Sequence, residues 1–515
     1  VSFGDASARF ETAFDVGRTL LDRAIATIAP RMALERERAR LRLSMVERTR
    51  AEFDGATQGR RSLGWRKTLR SANGELTPLV MSALRGVSRD LVRNNPYAAR
   101  GKQAWAEHLV GTGITFQIYR DGKIDQKLTD LARRHFDSTA CDAEGRHDLY
   151  GLQLQAAGTI VESGSILARR RWRRATDNLP VPFQMQLLEP DYLDMSKDGP
   201  LTVGHLVNGI EFDGLGRRKQ YWMRSGHPGE RRLFTFESKA VPAEDVIHCY
   251  RADRPEQQHG VPWFAPVILR MRDFADFEDA RLMREKIASC FTVFTTDAEG
   301  DITDPSLTPT SPEGGDGEMI EALEPGIIEH LPPGRDVKFA TPPSVDGYMD
   351  FSRVSLRAVG AGLLGLPYEI LTGDLSDVSF ISGRLGRLSF NRSISTLQWL
   401  TFIPQFCAGA GRWFFDAAEM AGVDTKGAYF EWTPPRIEMT DPASEVPAIR
   451  DAIRSGQMNL SEAIRERGID PDRHFAERQA DNDALDRLGI ILDSDPRKVT
   501  AVGNAVQPSP IREGK

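Results

Sequence analysis

Apolar residues recur at helical spacing along two long stretches of this chain, and between them the pattern collapses. From Trp263 to about residue 291, Val267, Met271, Phe274, Phe277 and Met283 repeat on one face, with Arg, Asp and Glu between them. Pro262 and Pro266 mark the start. About 29 residues at 1.5 Å rise predict a rod of roughly 43 Å, long for a globular helix and suited to a wall. Helical patterning resumes from Asp350 to Leu366 and pauses over a turn-rich link at 371–383. It then runs from Arg384 to Ala421. Pro404 lies inside that last stretch and is expected to kink it.

The interval between the helices is acidic. From Asp297 to Asp346 it carries Asp297, Glu299, Asp301, Asp304, Glu313, Asp316, Glu318, Glu321, Glu324, Glu329, Asp336 and Asp346, against only Arg335 and Lys338. Recurrent Pro and Gly exclude long helices. Residues 327–331 and 337–339 read as short strands, and 306–317 as a flexible loop. Two readings stand: a solvated loop, or a patch of negative charge that docks a partner.

Upstream, the pattern is mixed. The first sixty residues read as helical and are heavily charged. Arg31 to Arg50 is dense in Arg, but Glu35, Glu37 and Glu47 dilute the charge, which favours a solvated amphipathic helix over a nucleic-acid arm. A helix capped by Asn95 with Pro96 in its first position ends before Gly111 and Gly113. From Gly151 to Tyr250 the texture turns to strands, with runs at Val203–Phe212, Gln220–Met223 and Val246–Tyr250. Together, 61–262 reads as one α+β domain. The C-terminal stretch reads as small helices: Asp441-Pro442 and Asp470-Pro471 each pair an N-cap with a first-position Pro. Asn459 and Glu462 have capping-box spacing, and Gly468 and Gly489 stand as stops. The tail after Asp493 is polar and expected to be disordered.

Composition narrows the function classes. The chain has 515 residues and is 40% hydrophobic, enough for two to four modules with real cores. A net charge of −6 argues against a basic nucleic-acid binder. Cys141, Cys249, Cys290 and Cys407 lie far apart without metal-ligand spacing, which suits a reduced, cytoplasmic setting. No apolar run is long enough to span a membrane, and the N-terminus lacks the layout of a signal peptide.

Three motifs invite a chemical reading. Gly360, Gly362 and Gly365 match a dinucleotide fingerprint, but they close a helical pattern instead of joining a strand to a helix, so close helix packing is the better reading. The basic run Arg169-Arg-Arg-Trp-Arg-Arg174 reads as the exposed face of a hairpin before the Asp177-Asn178 turn, ahead of phosphate binding. His248-Cys249 has no second ligand cluster and reads as packed strand. No P-loop, zinc-protease or nucleophile-elbow motif is present. No catalytic, cofactor or metal residue is therefore assigned.

Five blocks together resemble the lambda family of phage portal proteins. They are Ser88-Arg-Asp-Leu-Val-Arg-Asn-Asn-Pro-Tyr-Ala98 continuing to Val110-Gly-Thr-Gly113; Val241-Pro-Ala-Glu-Asp-Val-Ile-His248 with Arg254-Pro255 and Gln258-His-Gly-Val-Pro-Trp263; Leu323-Glu-Pro-Gly326 with Leu331-Pro-Pro-Gly334; Leu366-Pro-Tyr-Glu-Ile-Leu-Thr-Gly-Asp374; and Asp441-Pro442 with the helices after it. Their order and spacing, from about 60 to 490, carry the resemblance.

The resemblance implies an α+β portal fold: a charged segment at 1–60, a wing at 61–262, stem helices at 263–294 and 347–370, and a small α/β clip at 295–346 between them. A tunnel loop at 371–384, a kinked helix and return at 385–435, a helical crown at 436–492 and a tail at 493–515 complete it. It also implies a dodecameric ring at one capsid vertex, assembled in the host cytoplasm, that passes double-stranded DNA in packaging and ejection. The expected partners are the large terminase subunit, a head–tail adaptor, and major capsid and scaffold proteins, with no cofactor and no membrane. Ser376, Asp377, Ser379, Phe380, Ser382 and Arg384 are the expected DNA-channel residues. Glu313, Asp316, Glu318, Glu321, Glu324 and Glu329 are the expected docking residues. The family commonly reads Asn-Tyr-Ser-Ser followed by Arg in the loop; here the stretch is Ser379-Phe-Ile-Ser-Gly-Arg384. A head–tail connector ring without a packaging role is the near alternative, and a nucleotide-binding enzyme the remote one.

Overall fold

The computed structural model describes residues 38–39, 68–230, 237–289, 293–295, 328–330, 347–376, 379–435, 441–467, 471–490 and 492. The chain divides into two units, 1–70 and 71–515. In the first, only 38–39, which are helical, and 68–70 are described; the Arg-rich stretch lies otherwise outside the described residues, as do the predicted strand at 337–339 and the tail after Asp493.

After a single helical turn at Ala72–Glu75, the second unit continues with helices α1 (Pro78–Asn94) and α2 (Pro96–Val110). Asn95 separates them as predicted: its side chain accepts from the Tyr97 and Ala98 amides, and Pro96 lacks the amide that would go unpaired. Strands β1 (Thr115–Arg120) and β2 (Lys123–Ile124) follow, then α3 (Gln126–Phe136) and α4 (Leu149–Ser163). Strand β3 (Ser165–Trp172) forms a hairpin with β4 (Phe183–Leu188). Strands β5 (Gly199–Pro200), β6 (His205–Val207), β7 (Ile210–Phe212), β8 (Arg218–Arg224) and β9 (Ser238–Pro242) make an antiparallel meander, and β10 (Val246–Tyr250) returns to pair with β3.

The run expected at Val203–Phe212 is split. Asn208 and Gly209 both adopt positive φ, 45° and 87°, and fold it into a two-residue hairpin between β6 and β7. The Arg169–Arg174 run lies on the predicted hairpin, but its face is not uniformly exposed. Arg170 is buried, donates to Asp245 at 2.7 Å and Asp416 at 2.5 Å, and lies over the Trp172 and Trp413 rings. The strand interior places alternate side chains on opposite faces, so one basic run divides between core and solvent.

The long rod is α5 (Ile268–Ser289), which starts five residues later than expected. Trp263 to Val267 instead form turns: the Trp263 amide bonds the Val161 carbonyl at 3.0 Å, and Val267 and Ile268 both donate to Phe264. Trp263 and Phe264 are thereby pinned in the core. Just before the acidic insertion, β11 (Val293–Thr295) pairs in parallel with β12 (Ile328–His330) inside it. Helix α6 (Tyr348–Gly362) ends earlier than the pattern suggested, and a short α7 (Tyr368–Thr372) follows.

Helix α8 (Phe380–Leu397) runs into a π-helical segment (Gln398–Cys407) and then α9 (Ala408–Met420). The predicted irregularity at Pro404 is thus a ten-residue stretch of widened turns. Strand β13 (Ala428–Thr433) pairs with β1 across the chain, so the C-terminal half closes onto the first domain. Helices α10 (Pro442–Arg454), α11 (Leu460–Glu466) and α12 (Pro471–Leu488) complete the unit, with the expected Asp441-Pro442 start and Asn459/Glu462 capping box.

One core joins α2, α3, α4, β3, α6, α8, the π segment and α9. Its largest fully buried side chains include Trp105, Phe136, Phe264, Phe390, Phe402, Phe406 and Trp413. Each buried Phe contributes about 1.5–3 kcal/mol through area removed from water. A second core beneath the meander holds Leu167, Leu193, Ile210, Tyr221, Met223 and Val241.

Candidate DNA-channel elements

Helices α5 and α6 pack antiparallel. Phe277 of α5 meets Tyr348 and Phe351 at the start of α6, with ring centroids 6.1 and 4.6 Å apart. At the other end, Gly362 lies against Val267. The acidic insertion therefore leaves and re-enters the fold between two adjoining helices. Glu278 secures the pair: Tyr97 from α2 and Tyr348 from α6 both donate to its Oε1, at 3.3 and 3.2 Å. Burial, and next the Glu278 charge, pushes the Tyr97 phenol up to about 12, so it stays a donor.

The glycines at the end of α6 bear out the packing reading. A Cβ on Gly360 would meet the Leu366 carbonyl at 2.3 Å, and one on Gly362 would meet Val267 Cγ1 at 2.3 Å. Gly365 takes a φ of 77° in the turn to α7. The Trp105 indole donates to the Leu363 carbonyl at 2.9 Å and closes this end. His248 and Cys249 likewise sit buried on β10, where burial raises the thiol's pKa. Cys141, Cys249 and Cys407 are free and buried.

Between α7 and α8 the chain makes a tight link whose organiser is Asp374. Its carboxylate accepts from the Ser376 hydroxyl at 2.6 Å, the Ser376 amide at 3.0 Å and the Tyr368 hydroxyl at 3.0 Å; Arg353 stands 3.8 Å away. The Ser376 hydrogen bonds, then that of Tyr368, hold the Asp374 carboxyl down at about 2. Ser376 also accepts from Arg353 at 3.3 Å. Its hydroxyl is thus engaged within the link. Asp374 and Arg353 were not singled out in the sequence, although an Asp two residues before a Ser is a turn signal.

The expected loop of 371–384 is shorter than foreseen. Ser379 is exposed, and its carbonyl accepts from Gly383 at 2.9 Å, so α8 begins at Phe380. Phe380, Ser382 and Arg384 therefore belong to the first turns of a helix. Once Ser379 offers a first carbonyl, nothing in Phe380-Ile-Ser-Gly breaks the i to i−4 ladder strongly enough to delay it. Arg384 stands 3.6 Å from Glu445 on α10. Asp377 lies outside the described residues. Helix α8 carries Arg384, Arg387 and Arg392 and no acidic residue, a one-signed helix that the sequence reading reduced to Arg384 alone.

Of the expected docking residues, Glu313, Asp316, Glu318, Glu321 and Glu324 lie outside the described residues. Glu329 is the central residue of β12, opposite Phe294. Elsewhere, Glu189, Asp191 and His227 bring ligand atoms within 4.8 Å of one another. Arg89 donates to both carboxylates, at 2.6 and 2.5 Å, and fills the place a cation would take.

The family model for phage portal proteins of the lambda family matches residues 58–398. The chain belongs to that family. The match spans the α+β domain, both antiparallel helices, the insertion and the 373–379 link. Among relatives of this portal-family chain, the probable portal protein of Halomonas phage phiHAP-1 is 24% identical over 462 residues, covering 85% of this chain and 87% of the relative. Portal protein B of Escherichia phage lambda is 22% identical over 369 residues, 64% of this chain and 67% of the relative. A solved chain from the neck of a native gene transfer agent particle, computed with C12 symmetry, aligns at 14% identity with a TM-score of 0.40, over 77% of this chain and 95% of the other. Among the described residues no helix is long and apolar enough to cross a membrane.

Proposed function

We propose that copies of this chain form a ring-shaped channel at one vertex of a tailed-phage capsid, a dodecamer through which double-stranded DNA enters during packaging and leaves at ejection. The observation that carries this reading is the family match across 58–398. The antiparallel pair α5/α6 fits it as a stem, with the acidic insertion as a clip at its far end. Helices α10, α11 and α12 fit a crown. Exposed Leu269, Leu282, Met349, Phe351 and Val354 on the stem helices suit contact with neighbouring copies.

The role is mechanical. A predominantly acidic bore repels DNA phosphates and keeps the duplex sliding, while sparse cations such as Arg384 hold it transiently. The clip docks the large terminase subunit, whose ATP hydrolysis drives the DNA, and later the head–tail adaptor. Major capsid and scaffold proteins meet the ring when the procapsid is nucleated. Negative-stain microscopy of the purified chain tests the reading: rings with a central hole of duplex width support it, and compact particles without a hole reject it.

A further inference from the structure

A cavity of about 400 Å³, open to solvent, lies between β8, β10, the π segment and α9. Arg218, His248, Tyr250, Gln405 and Arg412 supply its polar wall, and among the described residues no Asp or Glu lines it. The arrangement leaves positive charge and donors without an acidic partner.

Arg218 makes the point most clearly. Its guanidinium donates to the hydroxyls of Tyr221 and Tyr250, at 3.2 and 2.7 Å, and to Gln258 Oε1 at 3.0 Å. All three acceptors are neutral. Arg170, on the adjoining sheet, is instead held by two carboxylates. A largely desolvated cation is costly unless an anion answers it.

His248 contributes to this wall through its main chain. Its ring is enclosed, with a relative exposure of 6%, and neither nitrogen has a partner. Burial first, then the Arg218 charge, keeps the ring neutral, and its nitrogens are sealed from solvent, so the ring stands behind the cavity wall. Gln405 spends its oxygen on the Tyr250 amide at 2.9 Å and keeps its NH₂ donors. That bond shows that the Tyr250 N–H points away from β3. Strand periodicity aims the backbone N–H of His248 toward the same edge. Arg412 is exposed at the mouth.

We propose that this cavity binds a single oxyanion, a phosphate or carboxylate group, between Arg218 and Arg412, with the backbone N–H of His248 and the side-chain amide of Gln405 as further donors. The recess admits one such group and not a duplex. The group comes from a free anion or from an acidic side chain of a neighbouring copy, and the test separates these sources.

Inorganic phosphate is titrated into the full chain by calorimetry at constant ionic strength set with chloride, using dissociated protomers and assembled rings. Arg412→Gln is the test variant, since this exposed residue makes no ion pair among the described residues. Arg392→Gln, on α8, is the control. Saturable phosphate binding that weakens about tenfold or more in Arg412→Gln alone supports the site. Equal binding to protomers and rings assigns a free anion. Binding to protomers that is lost on assembly assigns a carboxylate of the neighbouring copy. No saturable binding, or equal affinity in both variants, overturns the proposal.

Discussion

Replacing the glycines that close α6 separates helix packing from nucleotide binding. In Gly362→Ala the new methyl would begin 2.3 Å from Val267 Cγ1. Val267 is itself buried and branched, so it has no free end to swing away. Overpacking of this kind costs about 1–3 kcal/mol, and exchanging a helical glycine for alanine returns at most about 1 kcal/mol. The net loss is about 1–2 kcal/mol. Gly360→Ala meets a backbone carbonyl, Leu366 O, which cannot rotate off; that stretch also holds the Leu366 amide on Gly360 O at 2.9 Å. Its loss belongs at about 3 kcal/mol. Gly365 has open space around it, and Gly365→Ala pays only for its positive φ, about 1–2 kcal/mol. Urea unfolding of the dissociated chain, followed by tryptophan fluorescence, measures all three, and Trp105 reports locally through its bond to Leu363. Trimming the partner in Gly362→Ala/Val267→Ala relieves the clash, so the two changes couple by about 1 kcal/mol. A neutral Gly362→Ala that adds independently to Val267→Ala would refute the packing account. Loss of nucleotide affinity with unchanged stability would favour the fingerprint reading.

Arg170→Ala leaves Asp245 and Asp416 without their cation and costs about 3 kcal/mol, the low end for a broken buried pair because Asp416 is half exposed; a loss under about 1 kcal/mol in the same urea assay contradicts the role given to it. Arg384→Ala removes a partly exposed pair with Glu445 worth about 0–1 kcal/mol, so rings still assemble while DNA retention falls; Glu445→Gln frees Arg384 and shifts retention the other way. Normal packaged length and retention in both variants counts against any DNA contact by Arg384. The Asp374 carboxyl has a folded pKa of about 2, below the ordinary carboxylate value, so its support for the 373–379 link is present above about pH 4 and fades as pH falls through about 2. Asp374→Asn is expected to speed amide exchange across 373–379 at neutral pH, and unchanged protection there removes Asp374 as the organiser.

Local signals were legible in the sequence. Asn95-Pro96, Asp441-Pro442 and the Asn459/Glu462 box need only neighbours within one turn, and each appears where the pattern put it. So does β10, whereas the helices on either side of the insertion are present with shifted ends, α5 starting five residues late and α6 ending early. What the sequence hid depends on distant partners. Arg170 reads as solvent-facing until Asp416, 246 positions away, reaches it. Strand β13 gains its role from β1, more than three hundred residues earlier. The start of α8 was misplaced because Ser376, Ser379 and Ser382 look like loop residues, whereas Asp374 absorbs Ser376 and the helix takes Ser382. Two tyrosines on one Glu278 carry no spacing rule at all.

DNA passage along the 373–379 link is tested most directly by a photocrosslinking residue placed at Ser379 in particles stalled during packaging. Leu215, 80% exposed on the turn after β7, serves as the control position. The channel account predicts DNA adducts from position 379 and none from 215. Equal labelling at the two positions, or adducts from 215 alone, contradicts it.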